Sequence, residues 1–334
     1  MSASDQEGQV SWPERIAGLL LPLGVTLMLL GRGWLTWRWN SPIRELIWEE
    51  KWWTPVLARF EITWGHFART SDDWITPTLM WVGIFLMASA LLPWLALLPR
   101  LRWMRWILLP AILLVALDAF ARWFIKDLQA GVAMEYALRL LSPVALLIFL
   151  GKGTPLSGMR QGIVTWILLL AAALTFTGHG LYAIGYYDIP LNFYTMTMEI
   201  LTLSQEDSLL FLKAAGWLDF IAVALAFLPA TRLPALIYML LWGSATTVAR
   251  LWAYYDPDLP KYGLDPWLAE TLVRTPHCLI PLWLILMMTR AKKTKPANEE
   301  EPEQPLEPEE HAAASSSPPS PADPPASTHP AAGH

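Results

Sequence analysis

The 334-residue chain contains a single cysteine, Cys278, and comparatively few charged residues. One cysteine cannot form a disulfide within the chain, so a mechanism that cycles a pair of its own cysteines is excluded. Charged residues make up 16% of the sequence, whereas hydrophobic residues make up 54%. This balance is typical of integral membrane proteins and not of soluble domains.

The sequence also lacks the motifs of common soluble enzymes. It contains no phosphate-binding glycine-rich loop, no hydrolase nucleophile elbow, no HExxH zinc motif and no nucleic-acid-binding signature. No segment between the apolar stretches is long and apolar enough to form a soluble enzymatic domain. We therefore expect contact with the lipid bilayer and no nucleic-acid partner. Whether the protein is an enzyme stays open.

Eight apolar segments approach the length of about 20 residues that a helix needs to cross a membrane. They cover residues 15–37, 74–97, 103–124, 136–150, 163–183, 209–228, 233–252 and 272–288. The first segment follows no basic region and precedes no obvious cleavage site, so it is predicted to be a retained span and not a signal peptide. The sequence thus predicts an all-α membrane protein with eight transmembrane helices.

These segments divide the chain into four regions. Residues 1–14 are an N-terminal cytoplasmic segment, 15–151 and 160–289 are two four-helix membrane units, and 290–334 form a tail. The first unit contains a tryptophan-rich segment, 40–73, whose alternating charges and aromatic residues indicate an interfacial position. The tail is rich in proline, glutamate, alanine and serine, a composition that predicts disorder.

Basic residues give the predicted orientation. Placing the N-terminus in the cytoplasm also places there Arg100, Arg102, Arg105, Lys152, Arg160, Arg232 and the basic cluster 290–295. The opposite side carries basic residues mixed with many acidic ones. The positive-inside rule therefore predicts that both termini are cytoplasmic, in a membrane of the bacterial inner-membrane type.

Several short matches indicate an internal repeat. The stretch Gly31-Arg32-Gly33 at the end of the first span corresponds to Gly178-His179-Gly180 at the end of the fifth. Further matched sets are Trp81, Ala88, Leu92 and Pro93 with Trp217, Ala224, Leu228 and Pro229; Arg122 with Arg250; and Glu135 and Arg139 with Glu270 and Arg274. Because each unit has an even number of spans, the two units are predicted to be parallel repeats.

Such four-span units resemble the DoxX-like membrane proteins. The features that carry the resemblance are a polar glycine-containing motif at the end of the first helix and an arginine- and proline-containing start to the last helix. The resemblance covers about residues 12–151 and 160–290, and it implies an association with quinone-linked oxidoreductase complexes or with maturation of periplasmic redox proteins. It transfers no catalytic residue, and Cys278 has no partner for the cysteine-dependent roles of some relatives.

Polar residues inside predicted spans mark the candidate site, because such residues are costly in lipid unless they have a role or a partner. In the second unit we expect one polar site that opens to the periplasmic side, formed by His179, His277, Arg250, Arg274, Glu270, Asp219 and Tyr182. The first unit has the pseudo-equivalent residues Arg32, Ser142, Arg122, Arg139, Glu135 and Asp118. Glu135–Arg139 and Glu270–Arg274 have the spacing of ion pairs along a helix.

Three functional hypotheses follow. The leading one is membrane redox chemistry, in which His179 and His277 are axial ligands of haem b or part of a quinone site. In the second, a small anionic or apolar molecule is transported. Arg250 and Arg274 hold its negative charge, and Asp219 and His277 couple protons to its movement. In the third, the protein is a non-enzymatic scaffold or assembly subunit that contacts a membrane or periplasmic protein partner.

Overall fold

The computed structural model describes residues 12–39, 41–151 and 158–293. All regular secondary structure in these described residues is helical. Six of their helices are long and apolar enough to cross a membrane: Arg15–Arg38, Asp72–Leu95, Pro99–Ile125, Met159–Ala183, Gln205–Ala226 and Pro260–Met288. The described part of the chain is therefore all-helical and of the multi-pass membrane type. The predicted disordered tail beyond Lys293 and the first 11 residues lie outside the described residues.

We call the part of the chain up to residue 151 the first half. Its helices are α1 (Trp12–Arg38), α2 (Pro42–Ile47), α3 (Glu50–Leu57), α4 (Trp64–Thr70), α5 (Asp72–Ser89), α6 (Leu92–Leu95), α7 (Leu108–Ile125), α8 (Ala130–Glu135) and α9 (Ala137–Phe149). A 3-10 helix, Pro99–Ile107, leads into α7. The tryptophan-rich segment contains α2 to α4, and Ser41 caps α2 by accepting a hydrogen bond from the Ile43 N–H.

The second half begins at residue 158. Its helices are α10 (Gly158–Ala183), α11 (Leu191–Leu201), α12 (Gln205–Ala226), α13 (Arg232–Tyr254), α14 (Pro260–Arg274) and α15 (Pro276–Lys293). Helix α11 lies in a stretch for which the sequence predicted no span. The break between α14 and α15 at Thr275 comes directly before Pro276, whose ring lacks the N–H that a continuous helix would use.

Two of the eight predicted spans form helices that are too short or not apolar enough to be counted among the membrane-crossing helices. The segment predicted at 136–150 is the 13-residue helix α9, which is apolar but short. Helix α13 has 23 residues, but Ser244, Thr246, Thr247 and Arg250 make it less apolar than the six long helices. The predicted eighth span, 272–288, is interrupted by the break at Thr275 and is only the second part of the candidate span Pro260–Met288.

The first helix of each half lies at the centre of the packing. Helix α1 packs against α5, α14 and α15, and α10 packs against α12, α8 and α9. Small residues allow the closest of these contacts, because a side chain at Gly33 or Gly83 would meet the backbone of the partner helix. The core contains fully buried Leu21, Leu168 and Trp283. Large apolar side chains on the outer faces, such as Trp81 and Trp217, are exposed, as lipid contact requires.

Candidate functional site

Two adjoining cavities contain most of the polar residues predicted from the sequence. The first, which we call the lateral cavity, has a volume of about 220 Å³ and is lined only by residues of the second half. Its wall includes apolar side chains from α11, α12 and α13, and its polar lining residues include His179, Asp219, Arg250, Arg274 and His277. The prediction that these five residues lie together agrees with this arrangement.

The second cavity, which we call the central cavity, lies between the two halves and has a volume of about 460 Å³. Its charged lining is predominantly basic. The basic residues are Arg32, Arg122, Lys126, Arg139, Arg250 and Arg274, and the acidic residues are Glu45, Glu135, Asp188 and Glu270. Phe193, Arg250 and Arg274 line both cavities. The two spaces therefore meet at a pair of arginines and one aromatic ring.

The two histidines touch each other at this junction. His179 lies one turn before the end of α10, and His277 lies in the first turn of α15. Their Nε2 atoms are 3.4 Å apart. The other ring nitrogen of each histidine also has a partner, because His277 Nδ1 is 2.9 Å from the Arg274 carbonyl oxygen and His179 Nδ1 is 3.3 Å from Glu135 Oε1. Glu135 belongs to the first half, so this chain of contacts crosses between the halves.

These contacts fix the protons of the pair. The Arg274 carbonyl can only accept a hydrogen bond, so His277 Nδ1 carries the hydrogen and the Nε2 atom of neutral His277 is an acceptor. His179 Nε2 must then donate to it. His179 Nδ1 and Glu135 Oε1 are close enough for an ion pair when His179 is doubly protonated. Burial raises the pKa of the Glu135 carboxyl, against the opposing effect of nearby arginines. The charge of this contact therefore depends on the protonation of both Glu135 and His179.

Asp219 is the buried acid of the lateral cavity. Its side chain accepts a hydrogen bond of 2.9 Å from the Tyr238 hydroxyl on α13, and only 2% of the residue is exposed. Neither Tyr238 nor Trp242, which also lines this cavity, was singled out from the sequence. Asp219 therefore has a neutral donor and not a basic residue as its hydrogen-bond partner.

The arginines of the central cavity fall into two groups. Arg32 pairs with Asp118, Arg122 donates to Glu45 at 2.8 Å, and Arg274 donates to Glu270 at 3.1 Å. Arg139 and Arg250 are each 9% exposed, and neither makes a hydrogen bond or ion pair with any residue that the structure describes. The guanidinium of Arg139 lies over the Tyr136 ring at 4.7 Å from its centroid. Glu135 and Glu270 line the same cavity and interact with these two arginines at longer range, but no described carboxylate is within ion-pair distance of either guanidinium.

Some sequence predictions for this region are wrong. Glu135 does not pair with Arg139 and contacts His179 of the second half instead; the helix assignment is interrupted between Glu135 and Arg139 at Tyr136. Ser142 lines neither cavity and donates to the Leu138 carbonyl within its own helix. Tyr182 lines the central cavity and not the lateral one. Its hydroxyl donates a hydrogen bond of 3.0 Å to Gln129, which also lines the central cavity. The predicted Glu270–Arg274 pair is present.

Phe193 was missed by sequence reasoning although it lines both cavities. Its ring lies against His179, with 6.2 Å between the ring centroids. It belongs to α11, a helix of 11 residues with two threonines and a glutamate, which gave no signal of a span. The sequence did contain a signal for a helix face directed toward a cavity. It is the helical spacing of four apolar residues and one threonine: Phe193, Met196, Thr197, Ile200 and Leu201.

The geometry does not fit a haem held by both histidines. Axial nitrogens on opposite sides of an iron lie about 4 Å apart, since each metal–nitrogen bond is about 2 Å. Here the Nε2 atoms are 3.4 Å apart in direct contact, and α10 and α15 pack against each other with no gap for a macrocycle. The described residues also contain no group of three or more histidine, cysteine, aspartate or glutamate residues that could hold a metal ion.

Comparison with known proteins found no matching family model, no matching curated protein and no matching solved structure.

Proposed function

We propose that this chain is a membrane protein of the small-molecule transporter class that binds an anion in the central cavity. The observation that carries the proposal is the pair Arg139 and Arg250, nearly buried beside the cavity without an ion-pair partner among the described residues. Taking a charge out of water costs several kcal/mol unless an opposite charge compensates it. A bound carboxylate or phosphate supplies that charge, and arginine binds both in a bidentate manner.

The proposal includes an architecture of eight spans arranged as two parallel repeats. Reciprocal glycine contacts support it. A Cβ on Gly31 would meet Ala269, Leu272 and Val273 of α14, and a Cβ on Gly178 would meet Gly131, Met134 and Glu135 of α8. The spacing within the two sets is identical. The end of α1 in the first half thus packs on α14 of the second half, and the end of α10 in the second half packs on α8 of the first half. A two-fold relation between the halves requires such reciprocal contacts.

This spacing changes the residue equivalence that the sequence predicted. When it is continued along α9 and α15, Pro143 corresponds to Pro281 and Arg139 corresponds to His277. Sequence matching had instead paired Ser142 with His277. In the revised equivalence the first half carries arginines, Arg32 and Arg139, at both positions where the second half carries its contacting histidines. This exchange gives the two halves different charge at equivalent places.

Orientation and family remain part of the proposal. The basic connectors support cytoplasmic termini in an inner membrane, with the cavities near the periplasmic side. The resemblance of the two proposed four-span units to DoxX-like proteins also belongs to the proposal. A scaffold role with a membrane or periplasmic partner at the tryptophan-rich segment is an alternative supported by the exposed rings of Trp48 and Trp52.

The test is anion binding to the full chain, purified in a neutral detergent. Isothermal titration calorimetry with inorganic phosphate and with succinate is expected to show saturable binding that weakens at least tenfold in Arg139→Gln and in Arg250→Gln. The matched control is Arg69→Gln, which changes an exposed arginine away from both cavities. If wild type binds neither anion, or if both cavity variants bind as wild type does, the proposal is overturned.

Quinone-linked redox chemistry is the second candidate. The observation that favours it is the Glu135–His179–His277 contact chain, whose inner end borders the largely apolar lateral cavity. A histidine beside an apolar cavity is suited to exchange a proton with a quinol. Extraction of the purified protein should then yield a bound quinone that His277→Gln no longer retains. Wild-type protein free of quinone after gentle solubilisation would remove this candidate.

A further inference from the structure

The central and lateral cavities differ in chemistry but share part of their walls. Phe193, Arg250 and Arg274 line both, so the two spaces adjoin at the arginines. On one side of this junction the lining is charged and predominantly basic. On the other side it is largely apolar, formed by side chains such as Met196, Leu212 and Trp242. A single ligand that spans the junction would need a charged end and an apolar end.

We infer that the ligand is an anionic amphiphile, whose phosphate or carboxylate head lies in the central cavity and whose apolar tail lies in the lateral cavity. This inference rests on the proposed anion site and names the class of molecule that the site takes. The unpaired guanidinium of Arg250 holds the head at the junction. Arg139 contacts the same head from the first half, because its guanidinium lines the central cavity.

The lateral cavity has room for part of a tail and a way out for the rest. A closed apolar cavity of about 150 Å³ holds a benzene ring, and this cavity has a volume of about 220 Å³. Ala245 of α13 and Leu201 of α11 line it and are exposed. Neighbouring Leu241 and Val248 on α13 are also exposed apolar residues on a surface suited to lipid. A long tail therefore continues past Ala245 into the bilayer.

The polar groups of the lateral cavity are consistent with a tail and not with a second ion. Asp219 repels an anion, and its hydrogen bond with Tyr238 satisfies it within the protein. The two histidines satisfy each other and lie at the junction end of the cavity. The remaining lining consists mostly of apolar side chains and favours hydrocarbon. The charged head is thus confined to the arginine end.

The experiment compares water-soluble alkyl phosphates that share a head and differ in tail length. Methyl phosphate and hexyl phosphate are titrated into the full chain in neutral detergent, with empty micelles as the partition blank and hexanol as the uncharged probe. Hexyl phosphate is expected to bind at least tenfold more tightly than methyl phosphate, and hexanol is expected to show no saturable binding. Arg250→Gln should weaken both phosphates.

The tail is tested by filling the mouth of the lateral cavity. Ala245→Trp, with Ala249→Leu as a second cavity-filling variant, is expected to reduce the preference for hexyl phosphate to less than twofold while methyl phosphate binds as before. The matched control is Ala214→Trp, a change at an exposed alanine of α12 that does not line the cavity, and it should keep the full preference. Thermal unfolding midpoints show that each variant is folded.

The outcomes separate the two proposals. If no phosphate binds, the proposed anion site itself fails. If methyl and hexyl phosphate bind equally to wild type, or if the preference survives in both Ala245→Trp and Ala249→Leu, the anion site stands and the amphiphile is wrong. Mass spectrometry of lipids retained by wild type and lost in Arg250→Gln distinguishes a membrane lipid from a free amphiphile as the source of the bound molecule.

Discussion

The two halves of the molecule place similar charged residues in similar positions but treat them differently. In the first half, the buried guanidinium of Arg32 is paired with Asp118, and Arg122 is paired with Glu45 of α2. In the second half, Arg250 has no ion-pair partner among the described residues, and Asp219 is bonded to the hydroxyl of Tyr238. The buried pair Arg32–Asp118 therefore joins two helices of the first half, whereas Arg250 of the second half faces both cavities without such a pair.

The difference agrees with the position that we propose for a ligand. An ion pair inside a membrane protein costs desolvation that its partner largely compensates, so Arg32–Asp118 is a structural contact between α1 and α7. Arg139 is the exception in the first half, since it has no carboxylate partner and lines the cavity that both halves share. The lateral cavity, in contrast, is lined by the second half alone. In the proposed repeat, this unequal pairing gives one ligand site and not two.

The largest expected effect comes from removing a paired charge in the first half. Asp118→Asn leaves Arg32 buried without its counter-charge, and we expect the free energy of unfolding to fall by about 3–5 kcal/mol. Reversible unfolding in mixed detergent micelles measures it. The double variant Arg32→Gln with Asp118→Asn removes both charges and should recover most of the loss. A fall of less than 1 kcal/mol in Asp118→Asn would contradict the structural role assigned to this pair.

A smaller effect on stability is expected when glycines at close helix contacts are replaced by alanine, and it should differ between the two halves. A Cβ at Gly33 would meet backbone atoms of Gly83 and Met87, whereas at Gly180 the nearest atoms belong to the Phe220 ring, which can rotate. Gly33→Ala is therefore expected to lower the free energy of unfolding by about 1–3 kcal/mol, and Gly180→Ala by clearly less. Gly65→Ala, at a position with open space, is the control. Equal losses at Gly33 and Gly180 would show that the halves pack alike.

Sequence reasoning recovered the helical membrane class and several contacts of the site. His179 and His277 could be brought together from the sequence because each occupies a polar position near the same end of an apolar helix. The Glu270–Arg274 pair followed from its spacing within one helix. These are local or depth-based relations, which composition and periodicity report directly.

The contacts that were missed cross between halves or depend on a helix break. Glu135 and Arg139 have the spacing of a pair, but the helix is interrupted between them at Tyr136 and Glu135 contacts His179, 44 positions further along the chain. Periodicity assumes a continuous helix and cannot locate such a break. The Arg32–Asp118 pair and the position of Phe193 over His179 likewise depend on how helices pack. Tertiary packing is not encoded in the spacing within any single helix.

The smallest effect on stability, and the sharpest test of the comparison, is expected at Arg250. In the protein without ligand its guanidinium is already buried and unpaired, so Arg250→Gln removes a desolvated charge without breaking an ion pair. We expect the free energy of unfolding to stay within about 1 kcal/mol of wild type, or to rise. Arg274→Gln is the matched contrast, because it leaves Glu270 without its partner and should destabilise the protein by more.

Adding phosphate then distinguishes an arginine that stabilises the fold from an arginine that binds the ligand. Wild type should gain stability as phosphate is added, because a ligand that binds only the folded state stabilises it by mass action. The free energy of unfolding of Arg250→Gln should be close to that of wild type without phosphate and should not rise when phosphate is added. The variant would then lose ligand binding without losing stability. If Arg250→Gln instead loses as much stability as Asp118→Asn, then Arg250 has a structural counter-charge, and the second half is built like the first.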